Sequence, residues 1–254
     1  MTGNGIASSQ MPAGRDGQSG RFATTRWSVV CAAGREDSVA RAALASLCET
    51  YWYALYVFLR RWGCSREEAE VVVQAFFARL LERGWVRSAD RDRGRFRTFL
   101  LTALVRFLGK ERDRQHAARR GGGRMFFSLD FDAGELRYQR EPVDQQTPDR
   151  LFDRRWAMTV LDRVLARLED EHADTSTRAA KFAALKPLMT AAPDADPYAT
   201  VAASLDMTEA AVKVAVHRLR KRYKELLRDE VAQTVSDPAS IEQELADLRA
   251  ALQA

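Results

Sequence analysis

Between Lys213 and Lys224 the sequence KVAVHRLRKRYK carries six basic residues and no acid. Cations repeated at helical spacing can neutralise phosphates and release their counterions. Val212, Ala215, Val216, Leu219 and Tyr223 recur at steps of three and four and form one inward stripe. Lys213, His217, Arg220 and Lys221 fall largely on the other side. Just upstream, Val201, Ala202 and Leu205 form a short apolar face, and Asp206 stands where a tight turn needs a left-handed backbone. Thr208 can then cap the following helix. Two helices joined by such a turn make a helix-turn-helix, whose second helix enters the major groove. On that geometry Glu209, Ala210, Lys213, Val214 and His217 face base edges, while Arg218, Arg220, Lys221 and Arg222 hold the phosphate backbone. The same residues also fit a basic surface helix in an ordinary bundle, or a helix-turn-helix that binds protein. His217 fits either a DNA contact or a surface side chain without a role.

The elements that must carry these residues read as helices. Residues 38–62 place Leu44, Leu47, Tyr51, Leu55, Phe58 and Leu59 on one stripe, ended by Gly63. Ser65 and Glu68 form a capping box for a second helix with Val72, Val73, Phe76, Phe77, Leu80 and Leu81. A third starts near Phe96, runs through Phe99, Leu100, Ala103, Leu104, Phe107 and Leu108, and turns basic before Gly121-Gly122-Gly123. Residues 121–150 read as a linker whose aromatic residues suggest that it packs on something. Periodicity resumes with Leu151, Phe152, Trp156, Val160, Leu161, Val164, Leu165 and Leu168. The expected fold is all-α, with two helical domains joined by a partly ordered linker.

Charge is distributed in blocks over the 254 residues, although the net value is only +5. Residues 91–124 carry eleven Arg or Lys against three acids, residues 128–153 seven acids against three Arg, and residues 229–254 six acids against one Arg. The pattern suggests two basic binding surfaces, joined and followed by acidic segments, or an uneven solvated surface. Cys31, Cys48 and Cys64 lack C-x-x-C spacing and read as reduced thiols rather than a disulfide framework or zinc site. No phosphate loop, nucleophile motif or metal cluster is evident, so neither an enzyme nor a cofactor is expected. The N-terminus has no apolar core of a signal peptide, and no apolar run is read as approaching the roughly 20 residues of a membrane span. A cytoplasmic protein is expected, with no membrane partner.

Seven stretches in order resemble extracytoplasmic-function sigma factors of bacterial RNA polymerase, in particular a sigma-like group of planctomycetes and related bacteria. They are TTRWSVV (24–30), AEVVVQAFFARLLERG (69–84), GRFRTFLLTAL (94–104), KERDRQHAARRGGG (110–123), SLDFDAGELRYQREP (128–142), DRRWAMTVLDRVLARL (153–168) and AAVKVAVHRLRKRYKELLRDEVAQTV (210–235). By composition residues 1–22, rich in Gly, Ser and Gln, read as a disordered tail and residues 233–254 as an acidic tail; between them the resemblance implies a region 2-like domain over 23–118 and a region 4-like domain over 151–232, joined by a linker over 119–150. It implies two partners, core RNA polymerase and promoter DNA. The polymerase contacts are the clamp helices of the largest subunit and the flap of the second-largest. An anti-sigma regulator is compatible with it.

By position, the resemblance places Glu67, Glu68, Glu70, Gln74 and Phe77 on the polymerase-docking helix. Arg93, Arg95, Phe96, Arg97, Thr98, Arg106, Lys110, Arg112 and Arg114 fall on the −10 side, and Thr208, Glu209, Ala210, Lys213, Val214, His217, Arg218, Arg220, Lys221 and Arg222 on the −35 side. Opening DNA requires aromatic or snug pockets beside cationic backbone contacts, and Arg93 to Phe99 supply both residue types. Phe96 also fits an ordinary core position, and Phe99 is expected in the core. The sequence departs from the family pattern at Val71, where an Asp is usual, at Asp206, where a Gly is usual, and at Ala210. Residues 236–254 read either as a short amphipathic helix (Ile241, Leu245, Leu248, Leu252) folded over the recognition helix, or as a solvated tail.

Overall fold

A computed structural model describes residues 38–82, 95–115, 129–140, 146–190, 197–235 and 237–253. The expected tail over 1–22, the stretch 24–30 and Arg93 lie outside them. The described residues are helical, and their one β-type pairing is an isolated antiparallel bridge between Arg95 and Val235. The all-α expectation holds.

Helix α1 (Ser38–Arg61) is the centre of the first core. Its expected stripe is buried, and so are Tyr53, Ala54, Tyr56 and Val57 on the other sides. A helix apolar all round must be enclosed. Ala42–Arg61 is in fact long and apolar enough by composition to cross a membrane, contrary to the reading of the sequence, but most of it is buried inside the fold. Gly63, at φ +102°, ends α1 in a conformation that glycine adopts without strain. Helix α2 (Arg66–Glu82) opens with the expected capping box: Glu68 accepts from the Ser65 amide at 2.8 Å, and the Ser65 hydroxyl accepts from the Glu68 amide at 3.2 Å.

Helix α3 (Phe96–Gln115) and helix α4 (Phe131–Gln139) complete this side. Asp130 caps α4, accepting from the Ala133 amide at 2.9 Å. Buried Glu135 accepts from Arg60 at 2.6 Å and from the Tyr56 hydroxyl, which anchors α4 to α1. The segment expected to link two halves therefore holds a helix docked on the first core. Gly134 lies so close to α1 that an added Cβ would sit 2.8 Å from the Trp52 ring.

Helix α5 (Pro148–Asp170) starts with Thr147 as cap and proline in its first turn, where the missing N–H costs nothing. Its first half (Leu151, Phe152, Trp156, Ala157, Val160) packs in the core of α1 to α3. Its second half (Val164, Leu168) enters a second core, built with α6 (Ser176–Leu185), a 3₁₀ turn (Lys186–Met189), α7 (Pro197–Ser204) and α8 (Glu209–Ala232). Helix α8 returns toward the first core, where Val231 and Val235 are buried. Helix α9 (Ile241–Gln253) then packs on α5 and α8, with Ile241, Glu244 and Leu248 buried.

Candidate nucleic-acid interface

The helix-turn-helix is formed by α7 and α8. Met207 donates its amide to the Ala202 carbonyl at 2.9 Å, and Asp206 takes φ +52°, the left-handed conformation expected of it. The Thr208 hydroxyl accepts from the Ala211 amide at 3.2 Å and starts α8. Val212, Val216 and Leu219 are buried against Tyr198, Ala202 and Leu188, so the facing of α8 is fixed by its apolar stripe. Glu209, Ala210, Lys213, Val214, His217, Arg218 and Lys221 are all exposed, Val214 at 51%. The Lys213 ammonium lies 5.9 Å from the Tyr198 ring centre, within range of a cation–π attraction that biases its direction.

Two expected phosphate contacts do other work in this structure. Arg220 donates from Nε to the Met189 carbonyl and from a terminal nitrogen to the Leu188 carbonyl, both at 2.9 Å. The guanidinium closes the C-terminal end of the 3₁₀ turn, whose carbonyls have no helical partner. Arg222 forms a two-pronged pair with Glu171 at 2.7 and 2.9 Å and also reaches Glu225 at 3.1 Å. That pairing holds the Glu171 carboxyl below its usual range. Both arginines brace α8 against the bundle, a role that charge and spacing did not reveal because their acceptors are distant in sequence.

The expected −10 residues divide three ways. Thr98, Arg106 and Lys110 are exposed along α3, whereas Arg112 and Arg114 belong to its last turns with side chains outside the described residues. Phe96 is fully buried, edge-on to Tyr51 at 5.0 Å between centroids, so its ring is a core element rather than an open stacking surface. Phe99 is partly buried against the same core.

Arg95 and Arg97 enter an ion network that the sequence did not suggest. Arg97 binds Asp153 at 2.7 Å, Glu244 at 2.8 Å and Asp247 at 2.6 Å, with its guanidinium 4.8 Å from the Trp156 ring centre. Arg95 lies 3.3 Å from the other Glu244 oxygen and pairs with Asp247. Burial opposes the charge on Arg97, but Glu244 and Asp153 outweigh it and raise its pKa. Burial also raises Asp153 above the usual carboxyl range, despite Arg97, with Asp247 and Asp149 pushing the same way. The Phe96 amide donates to the Thr234 carbonyl at 2.9 Å, which ties the start of α3 to the end of α8. The acidic C-terminal helix is thus formed, as its periodicity implied, but it lies on α5, the end of α8 and the arginines that open α3. It does not lie over the exposed face of α8.

On α2 the expected docking residues are also unequal. Glu67 and Glu68 are exposed, Glu70 accepts from Arg66 at 2.8 Å, and Gln74 is half-buried. The Glu67 carboxyl is held below its usual range by its own backbone amide and the Ser65 hydroxyl. Phe77 is fully buried in the first core, so its side chain is not presented to a partner; its place on the apolar stripe had already marked it as core. Val71 is 49% exposed, an apolar side chain among these acids.

Among the described residues no group of His, Cys, Asp and Glu is arranged to hold a metal ion. Cys48 is buried, which raises its thiol pKa, and Cys64 is partly exposed. No protein-family model, curated protein or solved structure matches the chain.

Proposed function

We propose that this chain is an alternative sigma factor of the extracytoplasmic-function class, which binds core RNA polymerase in the cytoplasm and directs it to promoters. The observation that carries the DNA-binding part is the helix-turn-helix. A left-handed Asp206 and a Thr208 cap set α8, whose outer face is open and bears Lys213, His217, Arg218 and Lys221. That face is the one a recognition helix turns to the major groove, with early side chains at base edges and later cations at phosphates. The polymerase part rests on the seven ordered sequence stretches and on the exposed acids of α2. Exposed Arg106 and Lys110 on α3 fit the −10 side.

A second reading is a helix-turn-helix regulator that acts without polymerase. One observation favours it: Arg95 and Arg97 are bound by carboxylates while α8 is open. Selecting bound sequences from a random duplex library, with and without core enzyme, separates the two. A sigma factor enriches a two-part site with the core enzyme present and binds that enzyme without DNA. Enrichment of one short element, unchanged by core enzyme to which the chain does not bind, supports the free regulator. Enrichment of nothing in either condition removes both.

A further inference from the structure

Helix α9 carries two of the three carboxylates that hold Arg95 and Arg97, and the third, Asp153, projects from α5. We propose that α9 is an intramolecular latch, in which Glu244 and Asp247 occupy Arg95 and Arg97 as nucleic-acid phosphates would. This rests on the reading of α3 as a single-strand-binding element.

The argument turns on Glu244. Its side chain is fully buried, one oxygen facing Arg97 at 2.8 Å and the other Arg95 at 3.3 Å. A buried carboxylate is tolerated only with its cations in place, and removing them leaves an uncompensated charge in a poor dielectric. Arg95 and Arg97 therefore cannot turn outward to phosphates while α9 stays docked. The two events are mutually exclusive, so nucleic acid and α9 compete for the same guanidinium groups. Packing alone does not call for this arrangement, since apolar residues of similar volume stabilise a buried contact at least as well. The rest of the seam is Ile241 and Leu248, both buried, Leu245 and Ala251, partly buried, and an exposed pair of Arg228 with Glu242. The bridge between Arg95 and Val235 and the bond from Phe96 to Thr234 hold the start of α3 beside the latch in the closed state.

Asp153 and Asp247 are the accessible members, with side chains 38% and 29% exposed, so their amides can be introduced without opening the core. The test compares the full-length protein with Asp153→Asn/Asp247→Asn for binding to a short A/T-rich single-stranded oligonucleotide, across a salt series. A charge-matched control, Asp162→Asn/Asp174→Asn, removes two exposed acids away from the latch. The latch predicts that the first variant binds the single strand about tenfold more tightly than the wild type. Its log–log salt slope steepens by about 1.4, the contribution of two phosphate contacts on a single strand. The control stays within about twofold, and adding Arg95→Gln to the first variant removes about half of the steepening, one phosphate contact of the two. Equal gains in variant and control, or no gain in a variant that melts like the wild type, overturn the latch. If neither protein binds the single strand while both bind duplex DNA, the latch and the single-strand role of α3 fall and the helix-turn-helix reading stands. Binding to neither form of DNA overturns all three.

Discussion

Arg220 separates bracing from DNA contact within one helix. Its guanidinium makes two bonds of 2.9 Å, to the carbonyls of Leu188 and Met189, from a half-buried position in the second core. Hydrogen bonds from charged donors are worth about 1.5–3 kcal/mol each, and partial exposure lowers the net value. Arg220→Ala leaves the Met189 carbonyl without that donor, whereas the Leu188 carbonyl keeps the Tyr198 hydroxyl at 3.4 Å. Together these give a loss of about 2 kcal/mol, or a fall in Tm of about 4–8 °C for a chain of this size. Arg220→Lys retains the charge but not the fork, so it should lose roughly half as much stability and leave the salt dependence of duplex binding unchanged. Thermal and urea unfolding followed by circular dichroism, beside duplex titrations at several salt concentrations, read both quantities. Wild-type stability in Arg220→Ala, together with a shallower salt slope, would refute the bracing role and return Arg220 to the phosphate contacts.

Other outcomes follow from the same geometry. Arg222→Ala frees Glu171, whose carboxyl is depressed by that pair and so contributes stability above the ordinary glutamate pKa near 4.5 that disappears as pH falls through the lower, folded-state value. The variant should therefore show a weaker loss of stability on acidification below about pH 5 than the wild type, measured by urea unfolding at several pH values. Asp206→Val forces a β-branched residue to φ +52° and should cost about 1–2 kcal/mol, while Asp206→Gly keeps wild-type stability; thermal melts compare them. Gly134→Ala brings a methyl group to 2.8 Å from Trp52, and after the gain in helix propensity it should still cost about 1 kcal/mol in unfolding experiments.

Much of the fold was legible because it is written in local rules. The Ser65–Glu68 box, Gly63, Asp206 and Thr208 act within a few residues of themselves, and each does in the structure what its type and spacing imply. The stripe of α1 was legible too, although burial on its other sides was not, because enclosure depends on what α2, α3 and α5 bring. The candidate site was legible only in part. Exposure of Lys213, Val214 and His217 follows from the apolar stripe behind them. The partners that tie Arg95, Arg97, Arg220 and Arg222 to other elements do not, since those pairings close across 31 or more positions. A run of arginines looks alike in sequence whether it faces phosphates or the chain's own carboxylates. Phe96 shows the same limit for an aromatic ring, whose place in the core is decided by a neighbour such as Tyr51. The acidic C-terminal helix was legible as a helix, but its target was not, because two basic surfaces competed for it.

The most direct test of the central proposal is transcription in vitro from fragments of the source genome, with core polymerase alone and with this protein added, mapping the transcript starts. A sigma factor predicts new starts that appear only with the protein, share paired upstream elements, and vanish when Lys213 and Arg218 are both replaced by alanine. Starts identical with and without the protein, although it binds duplex DNA, would contradict the sigma assignment.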